Sequence, residues 1–176
     1  KGEILELGGK KIRFLGYNSI YPFNVNVVQN IPGILMIKEA TLQQEIQEAK
    51  KGVEKLILLV HDGEEYNIYP EDSKIQLYRK MIDYGADMII GAHPHVIQSF
   101  EIYQGKPIIY SLGNLIFDQY RFPITRDELV MELLYYEGDL IACFPHFFKV
   151  NAHFQPKKSP DEEIEDLILR MERLKK

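Results

Sequence analysis

Three apolar runs in this chain each stop abruptly at a polar loop, and that repetition most narrows the folds open to it. Residues 56–60 run into His61-Asp62-Gly63-Glu64-Glu65, a second run ends in Gly91-Ala92-His93-Pro94-His95, and a third ends in Tyr110-Ser111-Leu112-Gly113-Asn114. Short, uninterrupted apolar runs are what strands buried on both faces require. In open α/β sheets, ligands bind just beyond the carboxyl ends of the strands. The imidazoles and the Asn therefore stand where such a sheet would carry a site, and a metal site suits them best.

The flanking pattern agrees. Residues 4–7 and 11–17 read as a hairpin turning at Gly8-Gly9. Leu42, Ile46 and Ala49 recur at helical spacing over residues 41–51, with Gly52 as the stop. Asp72 or Ser73 caps a second helix to about residue 84, with Leu77, Met81 and Ile82 inward and Gly85 after it. Residues 87–91 form the next strand. This is strand, helix, strand repeated, the pattern of a parallel sheet with right-handed crossovers. Past His95, residues 96–103 with 107–112, and 129–136 with 140–151, read as two hairpins that together make a second, antiparallel sheet. A last helix, residues 161–175, carries the stripe Ile164, Leu167, Ile168, Met171, Leu174. Residues 18–33 form a long irregular loop with an aromatic cluster at Tyr17, Tyr21 and Phe23. Residues 157–160 read as a linker.

Composition excludes some functions. With 21 Lys and Arg against 26 Asp and Glu, the net charge is -5. That argues against a nucleic-acid or anionic-membrane binder, which needs a basic face. The single cysteine, Cys143, rules out an internal disulfide and a Cys-rich zinc site, so any metal must use His, Asp, Glu or Asn. No apolar run reaches the length of a membrane-crossing helix. The start, Lys1-Gly2-Glu3, has neither an initiator Met nor the apolar stretch of a signal peptide.

In His93-Pro94-His95 the two imidazoles are splayed on an extended loop, with Pro94 holding the residue before it extended. Such a pair can give one ligand to each of two metals, or one ligand and one proton donor. Gly63 permits an unusual turn after His61, and Glu65 could orient that imidazole or contact substrate. Asn114 can serve a turn, ligate metal or hold a phosphoryl oxygen. His146 and His153 sit at no informative spacing and read as surface or structural residues.

Taken together, these segments resemble the CapA/PgsA family of capsule or poly-γ-glutamate synthesis proteins. His61-Asp62-Gly63-Glu64-Glu65-Tyr66 is similar to its H-W-G-x-E-Y signature. Ile82-Asp83-Tyr84-Gly85-Ala86-Asp87 is similar to its D-x-G-A-D, Gly91 to Val96 to its G-H/A-H-P-H-V, and Tyr110 to Asp118 to its Y-S-L-G-N-F-I-F-D. The resemblance covers roughly residues 11–134. It implies an α/β fold of the calcineurin-like metallophosphatase type, two β-sheets packed face to face with outer helices (α/β/β/α). It implies His61, His93 and His95 as metal ligands, with Glu65 and Asn114 lining the site. It also implies an extracytoplasmic, membrane-associated setting. Two departures stand out. Asp62 replaces the usual Trp, adding a carboxylate that could touch metal or substrate. The family's early G-D, N-x-E and N-N-H motifs are absent, so residues 1–176 read as one domain, the C-terminal portion of such a fold, carrying part of a site.

Three functions are open at this point. One is a metal-dependent hydrolase or phosphoesterase, in which a pair of divalent transition metals (Mn, Zn or Fe), completed by a further segment or complementing chain, generates hydroxide. His95, with Glu65, would handle protons. The second is a non-catalytic factor binding poly-γ-glutamate or a similar anionic polymer. The third is an inactive portion of such a domain. A sheet lacking neighbours exposes an apolar edge, so a homo-oligomer is expected.

Overall fold

The computed structural model describes residues 2–20, 33–119 and 122–172. The Gly8-Gly9 turn joins β1 (Glu3–Leu7) to β2 (Lys10–Asn18), as expected. Helix α1 (Glu39–Lys50) buries Leu42, Ile46 and Ala49, the three residues its spacing selects. Strand β3 (Lys55–His61) leads through helix α2 (Asp72–Asp83) to β4 (Met88–Ala92). Both β2–β3 and β3–β4 are parallel. Leu56, Leu58 and Val60 face α1 and α2 in a core shared with Tyr17, Tyr78, Met81 and Ile89. That burial is the main stabilising term for these layers.

Beyond the site the expectation needs two corrections. Strands β5 (Phe100–Tyr103) and β6 (Lys106–Ile109) do form a tight hairpin. It belongs to the first sheet, however, because β6 pairs parallel with β4. The six-stranded order is β1-β2-β3-β4-β6-β5. Alternation of side chains marks a hairpin but does not say which edge its backbone joins. The second sheet is β7 (Asp127–Tyr136), β8 (Asp139–Val150) and β9 (Pro156–Lys158). Part of the stretch read as a linker is thus strand β9, held by backbone pairing to β8.

Helix α3 (Asp161–Glu172) buries Leu167 and Met171 against Ile97, Leu129 and Phe147. Ile168 is exposed instead, and Leu174 lies outside the described residues, as do Tyr21 and Phe23. His146 is exposed and bonded to Glu132, a surface pairing as the sequence suggests. The result is an α/β fold of the expected class, with a six-stranded mixed sheet, a three-stranded antiparallel sheet and helices packed on them.

Candidate metal centre

Strands β3 and β4 end level with each other, since His61 pairs with Ala92 in the parallel register. The loops that follow leave the same sheet rim and are tied together. Asp62 N–H donates to the Ala92 carbonyl at 3.0 Å, and Tyr66 N–H donates to the Pro94 carbonyl at 2.8 Å. This brings His61 Nε2 to 3.0 Å from His93 Nδ1, with ring centroids 4.6 Å apart and the rings edge to face. His95 lies on the far side of His93, at 6.1 Å between centroids.

The backbone that does this is not the extended one expected beside Pro94. His93 has φ +104° and His95 φ +60°. A following proline disfavours the right-handed helical region but leaves positive φ open. The left-handed turns fold both rings back toward the strand ends. Positive φ at non-glycine residues is costly and concentrates at functional sites.

His95 is held on every side. Its Nδ1 lies 2.8 Å from Asn114 Oδ1. The Asn114 amide cannot be reversed without loss, because its Nδ2 donates to the Thr125 carbonyl at 3.1 Å. Asn114 Oδ1 therefore accepts, His95 Nδ1 carries the proton, and the lone pair is on Nε2. Phe117 stacks on the ring at 5.3 Å and Tyr66 at 6.2 Å. Tyr66 is itself fixed by Gln119 Nε2, which donates to its hydroxyl at 2.7 Å.

The two acidic candidates sit differently. The Asp62 carboxylate accepts a hydrogen bond from the Ser19 hydroxyl, so its first engagement is with the end of the β2 segment. Glu65 is exposed, and no hydrogen bond among the described residues ties it to an imidazole. It acts on His93 through its charge alone, favouring the protonated ring. Burial outweighs that and lowers the His93 pKa. His61 is likewise lowered, by burial and then by His93. Both rings are thereby biased to the neutral state in which imidazole binds metal.

The donor set can be tested against a metal ion. Zinc–nitrogen bonds of about 2.0–2.1 Å at a tetrahedral angle place two ligand nitrogens about 3.3 Å apart. His61 Nε2 and His93 Nδ1 stand at 3.0 Å, so two ligands fit one ion with a slight opening. Among the described residues, no group of three or more His, Cys, Asp or Glu side chains is close enough to hold an ion. His95 offers its free Nε2 to a neighbouring position rather than to the same one.

The sequence gives no signal for the residues beneath the loop. Lys74 falls on the buried stripe of α2 with Tyr78 and Met81, yet a lysine at such a place reads as solvated. Its amine donates to the Asp62 carbonyl at 2.9 Å and to Gln98 Oε1 at 3.0 Å, and Gln98 Nε2 donates to the Asn67 carbonyl at 2.8 Å.

Comparisons with known proteins bear on this arrangement. A protein of Thermus thermophilus, described as hypothetical, superposes with TM-score 0.58 at 15% identity, over 84% of this chain and 61% of that one. This shows a shared fold. The chain is 38% identical over 127 residues to the PGA biosynthesis protein CapA of Bacillus subtilis, covering 72% of this chain and 33% of that protein. It is 38% identical over 130 residues to the capsule biosynthesis protein CapA of Bacillus anthracis, covering 72% and 31%. The chain thus spans about a third of the length of these curated relatives. The model of the family described as bacterial capsule synthesis protein PGA_cap matches residues 1–119, which include His61, His93, His95 and Asn114. The chain belongs to the PGA_cap family of bacterial capsule synthesis proteins.

Proposed function

We propose that this chain carries part of a metal centre through which a capsule-family protein hydrolyses a phosphoester or an anionic polymer of the poly-γ-glutamate kind during its synthesis or export. The observation that supports this most is the approach of His61 Nε2 to His93 Nδ1 at the shared rim of β3 and β4. His61 and His93 would hold a divalent transition metal (Mn, Zn or Fe), and His95 would serve a second position. A bound ion of this kind polarises an oxygen and lowers the pKa of its water. The chain's own residues then have separate tasks. Asn114 fixes the His95 tautomer and leaves Nε2 free; where that atom does not ligate a second ion, it would instead take up a proton and return it to a leaving oxygen. Glu65 biases the electrostatics of His93. Asp62, turned toward Ser19, borders the space a substrate would enter.

Two measurements test this. His93→Ala should lower the bound Zn2+ or Mn2+ per chain at least tenfold in affinity, consistent with the usual effect of disturbing a metal shell. An unchanged stoichiometry would remove His93 from the ligand set. Turnover separates hydrolysis from binding: release of phosphate, or shortening of poly-γ-glutamate, is expected only from an enzyme. The two-ligand limit among the described residues favours one alternative, in which the ion only attracts the polymer. On that reading chelation abolishes polymer binding by this chain of net charge -5, yet no product forms.

The setting we propose is extracytoplasmic and membrane-associated, as for the family it resembles. A partner is part of the proposal. Every residue of the edge strand β1 is exposed, with Ile4 42%, Leu5 45% and Leu7 58% accessible. Unpaired edges with apolar side chains recruit further chains. Sedimentation should show a homo-oligomer, or a single complex when a complementing chain is supplied. A monodisperse monomer at high concentration would remove this element.

A further inference from the structure

We infer that Lys74 is a positioning residue of the centre: its buried amine, together with Gln98, clamps both ends of the residue 62–67 loop and so sets where His61 meets His93. The inference rests on reading the His61–His93 pair as the metal-binding part of the molecule.

The geometry is specific. Lys74 is 2% exposed, and lysine is rarely buried without a task. Its Nζ donates to the Asp62 carbonyl, the first residue of the loop, and to Gln98 Oε1. Gln98, fully buried, donates in turn to the Asn67 carbonyl at the loop's other end. One chain of three hydrogen bonds therefore spans the loop from beneath. The loop's shape accommodates it. Gly63 has φ +106°, and a Cβ there would lie 2.9 Å from Lys74 Nζ and 3.4 Å from Pro94 Cγ. A glycine is needed both for the turn and for the amine's approach.

The partners of the amine are neutral oxygens, not a carboxylate. Burial pushes its pKa down to about 8, so the ammonium is held at a cost that a hydrocarbon would not incur. What the amine supplies in return is the fixed geometry of its two hydrogen bonds. The clamp reaches His61 through Asp62, whose amide is simultaneously bonded to Ala92 beside His93. The Asp62 carbonyl lies in the 62–63 peptide and the Asp62 N–H in the 61–62 peptide, so releasing the carbonyl frees the torsion between them, and with it the anchor that holds His61 beside His93.

The test uses the whole chain. Lys74→Met keeps the length of the side chain and removes the donor. Lys74→Gln keeps a donor and removes the charge. In the metal-free wild type, nitrogen NMR of the imidazoles should show the shifts of His61 Nε2 and His93 Nδ1 displaced as a donor–acceptor pair sharing one N–H. Lys74→Met should lose that signal and weaken Zn2+ binding about 10–100-fold by calorimetry, while Lys74→Gln should retain the signal and lie within tenfold of wild type. A Lys74→Met protein with the shared N–H intact overturns the inference. If Lys74→Met does not fold, Gln98→Met decides the matter by cutting the clamp at its other link: a folded Gln98→Met with the signal intact also overturns the inference. Failure of the wild type to bind Zn2+ would sink the metal reading alone, since the ring–ring signal is read without metal.

Discussion

Gly91→Ala is expected to remove a large share of the protein's stability. The residue is the penultimate one of β4, two positions before His93 in the loop that also carries His95. A Cβ built there would stand 2.0 Å from the Tyr110 carbonyl oxygen and 2.8 Å from its carbon. Real side chains do not approach backbone that closely, and Tyr110 cannot swing away as a lysine tip could. Its ring is buried and stacked on Tyr78 at 5.6 Å. The added methyl must therefore part β4 from the segment leaving β6, next to the pairs Ile89–Ile108 and Ile90–Ile109. Overpacking of a rigid core costs about 1–3 kcal/mol, more where backbone must move. Disruption of the adjoining ladder should bring the loss to about 4 kcal/mol, a large share of the stability of a typical domain. Thermal and urea unfolding would measure it, with Gly16→Ala as the control. Gly16 lies in β2 of the same sheet with open space around its Cβ position, and there alanine should be neutral or gain about 0.5 kcal/mol. A Gly91→Ala protein as stable as Gly16→Ala would mean that the two segments do not touch.

This close approach also explains which parts of the molecule could be read from sequence. Strands β3 and β4 are legible as continuous apolar runs, but the expected burial on both faces is not met in β3: Leu56, Leu58 and Val60 are buried, whereas Leu59 on the other face is 42% exposed. Their histidines were legible because they follow those runs without an intervening residue or after one alanine. The assignment of 96–112 to a second sheet failed for a different reason. What joins β6 to β4 is backbone pairing and the absence of a side chain at Gly91, and neither has a hydrophobic signature. Strand β9 has no hydrophobic signature either, since Pro156, Lys157 and Lys158 contribute ladder bonds and little apolar surface. Lys74 was the least legible of all. Helical spacing puts it on the inner stripe with Tyr78 and Met81, but only the carbonyls of Asp62 and the Gln98 amide, brought from elsewhere in the chain, make that place tolerable for an amine. Asn114 was legible as a site residue, whereas its grip on the His95 tautomer depends on Thr125, eleven residues on.

Glu128 should make the protein less stable as pH rises from about 4.5 to about 7. Its side chain is fully buried, and neither carboxylate oxygen has a hydrogen-bond partner among the described residues. Burial, and then the neighbouring Asp127, push its pKa up from 4.5 to about 7. In the unfolded chain the group ionises at its ordinary value, so between the two values the unfolded state holds fewer protons and stability falls with pH. The favourable contribution is complete below about pH 4.5 and gone above about pH 7. At about 1.4 kcal/mol per unit the full effect is at most about 3.5 kcal/mol. Glu128→Gln removes the charge, and after allowing for the amide's own unmet bonds it should stabilise the protein by about 1–2 kcal/mol at pH 8 and change little at pH 4.5. The strain has a local outlet. Glu128 bridges to Gly113, and the Leu129 N–H donates to the Leu112 carbonyl at 3.0 Å. Opening these contacts admits water to the carboxylate, and it loosens the segment that presents Asn114 to His95. Amide exchange at Leu129 should therefore quicken above pH 7 in the wild type beyond the ordinary base-catalysed rise, and this excess should be absent in Glu128→Gln. Parallel stability curves for the two proteins from pH 4.5 to 8 would show that water or a counter-charge already reaches Glu128, and that this route from a buried acid to the rim of the site does not exist.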